Sequence, residues 1–189
     1  MKPIHLRNLP GGPENRSMET FDHVAYFDFL FSYLLPENYL ELGVRDGRNF
    51  IAVSKYCTKA IAVDVLTPHF ELAENMEYHT STTDNYFLTL PSDVMFDVVF
   101  IDADHSHGQS LKDFMNVKDR IIEDGFIFMH DTYPYDSSLF VPDLCNDVYK
   151  TALYIKENFI DEFEIITLPF NPGVTMIKKI KRNKQLIYT

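Results

Sequence analysis

Hydrophobic residues along this chain form short unbroken runs, separated by segments in which they recur every three or four positions. Seven runs have the length of strands: 38–42, 60–65, 76–80, 96–102, 126–130, 163–168 and 174–179. Unbroken apolar runs are typical of parallel sheets that are covered on both faces. The pattern therefore predicts an α/β fold.

Helical spacing marks the segments between these runs. The first helix carries Val24, Phe27, Phe31 and Leu34 and ends at Pro36. Further helices are predicted over about 49–56 and, weakly, over 67–75, whereas 80–84 reads as a polar loop. A fourth helix presents Leu111, Phe114, Val117 or Lys118, and Ile121 on one face and ends at Asp124-Gly125. The last helix, after a loop with Pro134 and Pro142, carries Leu144, Val148, Ile155 and Phe159.

The connection between the last two strands is only Pro-Phe-Asn-Pro-Gly, residues 169–173. A parallel crossover needs about a dozen residues, so these strands are predicted to form an antiparallel hairpin. The other strands alternate with helices, which predicts a mostly parallel sheet with helices on both faces. We expect an irregular N-terminal arm over 1–20, one domain over 21–180 and a basic tail over 181–189.

The composition excludes several classes of function. A formal net charge of −11 argues against nucleic acid or an anionic membrane as a partner. Cys57 and Cys145 form neither a disulfide framework nor a zinc pattern, so both are expected to pack as small apolar residues. No apolar run approaches the ~20 residues of a membrane span, and the N-terminus lacks a signal-peptide core. We therefore expect a cytoplasmic protein.

Acidic residues stand at or near the ends of four predicted strands: Glu41, Asp64, Asp102 and Asp131. In doubly wound sheets, ligands bind beyond the carboxyl ends of the strands. After the first strand, Gly43 and Gly47 permit a sharp turn and a close approach of backbone to a ligand. The following helix start offers free N–H groups to polar or anionic groups. Together these features predict a nucleotide-binding corner.

The segment from Glu41 to Gly47 resembles the first motif of class I S-adenosylmethionine-dependent methyltransferases: an acid, one residue, Gly, three residues, Gly. It does not match the Gly-x-Gly-x-x-Gly of dinucleotide dehydrogenases. Segments 100–107 (FIDADHSH) and 124–132 (DGFIFMHDT) are similar to methyltransferase family 24, with Ala103, His107 and Asp124 replacing its usual Gly, Tyr and Gly. The likeness covers about 22–180 and implies a Rossmann-like, doubly wound, seven-stranded sheet with a C-terminal antiparallel hairpin.

This resemblance implies that S-adenosylmethionine is the cofactor and that a methyl group passes to an oxygen, rather than a nitrogen, of a small-molecule acceptor. Asp64 would accept the ribose hydroxyls, because a carboxylate suits two donors. Gly43 and Gly47 would lie along the methionine portion. Glu41 would fix the loop or bind the cofactor amine, and Asn49 would cap the helix and contact the cofactor. Val65 would pack on the adenine face, and Thr82 or Ser81 would bond the adenine edge. Asp102 would lie on the cofactor side of the site.

Methyl transfer also needs an aligned and deprotonated acceptor, which a base or a metal provides. His105 is the expected general base, with Asp102 and His130 in the same catalytic group, whereas His107 is expected to be exposed. In the resembling catechol-type O-methyltransferases, acids after the fourth and fifth strands hold a divalent ion. Asp102 and Asp131 occupy those positions, which suggests Mg²⁺ or Mn²⁺; Thr132 stands where the third ligand is usually Asn.

Two alternatives remain open at the level of sequence, because a fold does not determine a function. One is a non-catalytic protein that binds the cofactor and assembles with a partner. The other is a metal-dependent oxygenase on the same scaffold, like the cephalosporin hydroxylase group, with iron held by the His/Asp cluster. Acceptor specificity is expected to lie in the arm and in 132–143, and exposed aromatics among Tyr26, Phe27 and Phe29 would allow a homo-oligomer contact.

Overall fold

A computed structural model describes residues 23–169 and 172–180 of the chain. The strands are β1 (Asn38–Leu42), β2 (Lys59–Asp64), β3 (Met76–Thr80), β4 (Phe96–Ile101), β5 (Ile121–His130), β6 (Phe163–Leu168) and β7 (Val174–Lys179). The helices are α1 (His23–Leu34), α2 (Arg48–Ser54), α3 (Thr83–Thr89), α4 (His107–Val117) and α5 (Tyr149–Asn158). The predicted arm, 1–20, and the predicted tail, 181–189, lie outside the described residues.

The seven strands form one sheet in the order β3-β2-β1-β4-β5-β7-β6. Strands β1 to β5 pair in parallel, and β7 is antiparallel to both β5 and β6. This arrangement confirms the predicted fold, including the C-terminal hairpin. The chain order reverses at β1, which pairs with β2 on one side and β4 on the other. Such a switch point opens a crevice at the carboxyl ends of the strands.

Helices cover both faces of the sheet, and β4 shows why its strands are apolar on both sides. Val98 and Phe100 pack in the cluster that includes Phe27 of α1 and Phe50 of α2. The alternate residues of β4 pack in the opposite cluster, which includes Phe114 of α4. Successive side chains of a strand point to opposite faces, so a strand buried on both sides reads as one unbroken apolar run.

Two short elements differ from the prediction. Segment 67–75 contains turns and bends instead of a helix. Pro68 lacks a backbone N–H and restricts the residue before it, which disfavours a helix there. The polar loop predicted at 80–84 is shorter than expected: Thr80 ends β3, and Thr83 starts α3, whose N-cap, Thr82, accepts a hydrogen bond from the N–H of Asn85. Helix α3 was missed because it is only seven residues long and begins with polar residues, which the sequence pattern assigned to a loop.

Two boundaries also differ. Helix α4 ends at Val117, and Ile121 starts β5, where it pairs with Phe96. Asp124 has a left-handed φ of 65°, and the β4–β5 register shifts between Phe96 and Val98, so the Asp-Gly pair bends a strand rather than ending a helix. The last helix starts later than predicted, so Leu144 precedes it and is 44% exposed.

Other expectations concern the surface and the cysteines. Phe27 is fully buried, Phe29 is 64% exposed, and Tyr26 is intermediate, so α1 exposes part of the aromatic set named above. Cys57 and Cys145 are both buried and free, in agreement with the prediction that they pack as small apolar residues. Of the helices in the described part of the chain, none has the length and apolar character needed to cross a membrane.

Candidate functional site

Gly43, at the end of β1, lets two strands come unusually close. It has a φ of +82°, and a Cβ at this position would lie 2.1 Å from the carbonyl oxygen of Asp102 after β4. Gly47 has a φ of +79°, and its Cβ would lie 2.4 Å from the ring of Phe70. Any side chain would therefore push apart the loop and its neighbours. Both glycines therefore permit the turn, as predicted, and also allow neighbouring groups to pack where a side chain would lie.

Asp64, at the end of β2, holds the loop that follows β1. Its Oδ2 accepts hydrogen bonds from the backbone N–H of Val44 at 2.7 Å and of Arg45 at 2.8 Å. Its Oδ1 accepts from the N–H of Leu66 at 2.8 Å. Three backbone donors therefore fix this carboxylate at the mouth of the crevice. A hydrogen-bond donor that enters the crevice would meet a carboxylate that is already positioned.

Glu41 lies beneath the same loop, in a buried polar cluster with Tyr39 and Asn49. Its Oε2 accepts from the Tyr39 hydroxyl at 2.6 Å and from Asn49 Nδ2 at 2.9 Å. Burial raises the pKa of Glu41 to about 8, and the charges of Asp102 and Asp64 act in the same direction against the hydrogen bonds from Tyr39 and Asn49. Glu41 is therefore protonated over much of the neutral range.

The prediction that Asn49 caps α2 is wrong. The N-cap is Gly47, and the Asn49 side chain points into the cluster with Glu41, where Asn49 is 6% exposed. Its Oδ1 is buried and has no hydrogen-bond partner in the described part of the chain. Gly47 supplies the left-handed turn at the helix start that a side-chain cap would otherwise provide.

A cavity of about 360 Å³ opens at the switch point; we call it the first cavity. This volume is within the ~300–1,000 Å³ of small-molecule sites. Gly43 and Asp64 line it from the ends of β1 and β2, and Ala103 lines it from the end of β4. Val65, 65% exposed, and Thr82 line the side next to α3. Of the residues predicted to bind a cofactor, Gly43, Asp64, Val65 and Thr82 border this one space, and so does Ser81.

Beside the first cavity lies a carboxylate–histidine group, Asp102, His105, His130 and Asp131. His105 Nε2 is 3.3 Å from Asp131 Oδ2 and 3.8 Å from Asp102 Oδ1. His130 Nδ1 is 3.1 Å from Asp102 Oδ1 and 3.4 Å from Asp131 Oδ1. The side chains of Asp102 and His105 are about one-quarter exposed, and that of Asp131 is 5% exposed. The structure thus brings together every residue predicted for catalysis or metal binding.

The tautomer of the neutral His105 ring follows from its contacts. Its Nδ1 is hydrogen-bonded to the backbone carbonyl of Leu144, which can only accept, so Nδ1 carries the proton. The lone pair of the neutral ring is then on Nε2, which faces both carboxylates. This is the arrangement that metal-binding histidines adopt, with the second nitrogen held by a backbone carbonyl. Ligand atoms of Asp102, His105 and Asp131 all lie within 4.8 Å of one another.

His130 is the buried member of the group. Burial alone would lower its pKa, but the charge of Asp102, the hydrogen bonds that His130 donates to both carboxylates and the charge of Asp131 outweigh burial and raise the pKa to about 10. For Asp131, burial would raise the pKa, but His130 and the charge of His105 outweigh it and lower the pKa. His130 is therefore a cation that holds the two carboxylates in place.

The exposure of His107 was misjudged from sequence, and the contact of Cys145 with the carboxylate–histidine group was not foreseen. His107 was expected to be exposed, but it is half-buried: Asp147 Oδ1 accepts from its N–H at 2.7 Å, and its Nδ1 is 2.8 Å from Thr151 Oγ1. Cys145 Sγ lies 3.6 Å from Asp131 Oδ1. Burial and the charge of Asp131 raise the pKa of this thiol to about 12. These contacts join residues 14 to 44 positions apart, so no local sequence pattern predicts them.

The strand order, with a cavity at the switch point, defines an α/β domain of the class I methyltransferase type. Residues 40–132 match the family model of a methyltransferase domain, numbered 24 in its series. The chain belongs to this methyltransferase family, as the sequence motifs had indicated.

Solved structures share the fold at low sequence identity. A putative caffeoyl-CoA O-methyltransferase from Staphylococcus aureus aligns with a TM-score of 0.65 at 12% identity, over 83% of this chain and 82% of its own. A Podospora anserina methyltransferase bound to S-adenosylhomocysteine gives 0.65 at 15%, over 84% and 78%. A Bacillus cereus O-methyltransferase in complex with the same compound gives 0.63 at 14%, over 83% and 80%. No curated protein is similar enough in sequence to match.

Proposed function

We propose that this protein transfers a methyl group from S-adenosylmethionine to an oxygen atom of a small-molecule acceptor. One observation carries the proposal: Asp102 joins the two parts of the site. Its backbone lies against Gly43, and the next residue, Ala103, lines the first cavity. Its side chain belongs to the carboxylate–histidine group. A donor in the cavity would therefore lie beside groups able to activate an acceptor.

The first cavity suits the cofactor. Asp64 would accept the two ribose hydroxyls, and Val65 would pack on the adenine, whose edge Thr82 or Ser81 would bond. Gly43 and Gly47 would leave room for the methionine portion. Glu41 and Asn49 would support the loop from below, and the orphaned Oδ1 of Asn49 is an acceptor available to the cofactor amine. The Podospora and Bacillus structures named above hold S-adenosylhomocysteine, the product of methyl donation.

Methyl transfer breaks the bond between the methyl carbon and sulfur and forms a bond from carbon to the acceptor oxygen. S-adenosylhomocysteine leaves, and the acceptor hydroxyl loses its proton. His105 is placed to take this proton in its neutral form, because the hydrogen bond at Nδ1 holds the ring and leaves Nε2 as the accepting nitrogen. The sulfonium loses its charge during the reaction. Besides deprotonation of the acceptor, the transfer therefore depends mainly on alignment of the methyl donor with the acceptor oxygen.

A divalent cation fits the same group. Asp102, Asp131 and His105 Nε2 would hold it; the carboxylate oxygens suit either Mn²⁺ or Mg²⁺, and the imidazole favours Mn²⁺ of the two. When bound, the ion would lower the pKa of the acceptor hydroxyl. His105 Nε2 would then be a ligand and not the base, so chelation decides between the two roles: transfer survives it if His105 acts as base and stops if the ion is required.

The test begins with calorimetric titration of the full chain with S-adenosylhomocysteine. Wild type is expected to bind. Asp64→Asn should weaken binding about tenfold or more, because the amide offers one acceptor in place of two. Asp46→Asn is the matched control: it removes the same charge from an exposed position in the loop after β1 and should bind like wild type. Failure of the wild-type chain to bind the compound would overturn the proposal.

Catalysis is tested separately with methyl-tritiated S-adenosylmethionine and a panel of phenols and sugars, with and without EDTA. His105→Ala and Asp102→Asn are expected to retain S-adenosylhomocysteine binding within a few-fold and to lose methyl transfer by roughly a hundredfold or more. If the protein binds the cofactor product but transfers no methyl group to any compound on the panel, the catalytic part of the proposal fails.

A further inference from the structure

A second cavity, of about 610 Å³, lies at the same edge of the sheet as the carboxylate–histidine group. The residues after β5, the α5 residues between Tyr149 and Lys156, and the outer strand β6 border it. Both β5 and β6 are antiparallel to β7, so their carboxyl ends lie at one edge. The first cavity borders β1, β2 and β4, and the second borders β5 and β6. In the order of the sheet, Asp102 and Asp131 therefore lie between the two spaces.

The mouth of the second cavity is fixed by the hairpin turn. The N–H of Tyr133 donates to the carbonyl of Pro172 at 3.0 Å. Gly173 has a φ of +112°, and a Cβ there would lie 2.3 Å from Tyr133 N. Phe140 and Tyr149 form an aromatic wall, with ring centroids 5.6 Å apart at 79°. Ile166, from β6, is part of the lining on the sheet side. Aromatic and aliphatic walls of this kind accept a flat ring.

The charge of the lining is unlike that of the rest of the protein. The chain has 28 acidic and 17 basic residues, yet Lys156 is the charged residue that lines the second cavity, and no acid lines it. None of the ion pairs formed among the described residues includes Lys156. A ligand carboxylate at this position would meet a cation without displacing an existing partner.

Thr132 supplies a polar group at the other end. It is 5% exposed, it directly follows Asp131, and its Oγ1 is buried without a hydrogen-bond partner in the described part of the chain. Buried hydroxyls are normally satisfied, so this one indicates a missing partner. Thr132 belongs to the lining of the second cavity, so its hydroxyl lies beside this space although Oγ1 itself is buried.

We propose that the second cavity binds the methyl acceptor, and that the acceptor is an aromatic carboxylate with a hydroxyl at its far end. This inference rests on the proposed function. The ring lies between the aromatic wall and Ile166, the carboxylate pairs with Lys156, and the hydroxyl bonds Thr132 Oγ1 beside Asp131. Tyr149 and Lys156 are two turns apart on α5, roughly 10 Å, so the ligand is longer than a single ring.

The probes are 6-hydroxy-2-naphthoate and 2-naphthol, which differ by the carboxylate. The chain contains no Trp, so naphthyl fluorescence can be followed without protein background at its excitation wavelength. With S-adenosylhomocysteine present, we expect the acid to bind wild type about tenfold more tightly than the naphthol. Lys156→Gln should abolish this preference. Lys55→Gln is the matched control, because it removes a lysine paired with Asp28 on the surface, and it should retain the preference.

Orientation is tested with Thr132→Val, which keeps the shape and removes the hydroxyl. This variant should bind 6-hydroxy-2-naphthoate several-fold more weakly than wild type and 2-naphthoate, which lacks the hydroxyl, equally well. Equal wild-type affinity for acid and naphthol, or an undiminished preference in Lys156→Gln, would overturn the inference. If S-adenosylhomocysteine binds while the preference is absent, only this inference fails. If S-adenosylhomocysteine does not bind, the proposed function fails, and the acceptor assignment fails with it.

Discussion

Nδ2 of Asn49 donates a 2.9 Å hydrogen bond to Oε2 of Glu41, so the acid of the first glycine motif is bonded to the helix that follows the motif. Tyr39 donates to the same oxygen at 2.6 Å. The carboxyl group is almost fully buried, with Glu41 1% exposed. Two donors satisfy one oxygen, but they do not offset the loss of water around a charge, which explains why burial dominates the pKa of this group.

This cluster gives stability a pH dependence. The pKa of Glu41 is raised from 4.5 to about 8 in the folded protein, so folding takes up a proton between these values. The stability that the neutral form provides is complete below about pH 4.5 and is lost as pH rises to about 8, at up to roughly 1.4 kcal/mol per pH unit. Glu41→Gln should remove this slope, as measured by urea unfolding from pH 5 to 9.

Glu37→Gln is the control for that experiment, because Glu37 is exposed just before β1. It should unfold with the pH profile of wild type. Glu41→Gln should gain stability relative to wild type above pH 8 and differ less at pH 5. Parallel profiles for wild type and Glu41→Gln would show that Glu41 is charged in the folded state.

Gly43 and Gly108 should respond oppositely to alanine. At Gly43 the new Cβ would lie 2.1 Å from the carbonyl oxygen of Asp102, at a left-handed φ. We expect Gly43→Ala to lower the free energy of unfolding by about 2 kcal/mol or more. Gly108 lies in α4 with open space around the Cβ position, so Gly108→Ala should leave stability unchanged or raise it by up to about 1 kcal/mol. Thermal and urea unfolding measure both, and equal effects would contradict the packing role of Gly43.

Much of the sheet was predictable, because its central strands are buried on both faces and its C-terminal strands are joined by a short Pro/Gly connection. The runs at 38–42, 163–168 and 174–179 needed no knowledge of their neighbours, and the hairpin followed from the length of its connection. Ile121 was misassigned because a single apolar residue at helical spacing fits a helix and a strand equally. Its pairing with Phe96, 25 positions away, decides the matter, and that contact is tertiary.

The site shows the same division. Acids that follow apolar runs can be recognised in the sequence. Their convergence is also predictable, because parallel strands bring their carboxyl ends to one edge of the sheet. The tautomer of His105 is not visible, because it depends on a carbonyl 39 residues later. Asn49 was correctly chosen as a site residue, but its contact was predicted wrongly. It lies at a helix start, where a cap was expected, yet its side chain donates a hydrogen bond to Glu41 across the turn. Capping preferences consider only residues close in sequence to the helix start, so they do not predict a hydrogen bond to the buried Glu41.

Metal binding is expected to depend on three side chains together. Mn²⁺ titration followed by electron paramagnetic resonance should show one bound ion in wild type. His105→Ala and Asp131→Asn should each weaken binding about tenfold or more, because each removes one of the converging ligand atoms. His79→Gln is the control: His79 is paired with Glu77 on β3, away from this group, and the variant should bind like wild type. Equal Mn²⁺ affinity in all four proteins would exclude this ion site.

Asp147 should control access to Cys145. Its Oδ1 accepts the N–H of His107 at 2.7 Å and so holds the segment before α5 on the start of α4. This hydrogen bond, together with Lys150, lowers the pKa of Asp147, so its stabilising contribution is complete above the ordinary pKa of the group and is lost as pH falls through the lowered pKa. Asp147→Ala should loosen the segment by about 1 kcal/mol, the typical contribution of a capping side chain.

Cys145 reports this loosening, because it is fully buried on the same segment. Thiol labelling at pH 8 measures how often the segment opens, and about 1 kcal/mol should raise the rate roughly fivefold. Cys57, buried between α2 and β2, is the internal reference and should label at an unchanged rate in Asp147→Ala. Asp143→Ala, at an exposed position of the same segment, is the matched variant and should label like wild type. A parallel increase at both cysteines would indicate global destabilisation, and an unchanged Cys145 rate would show that Asp147 does not hold the segment closed.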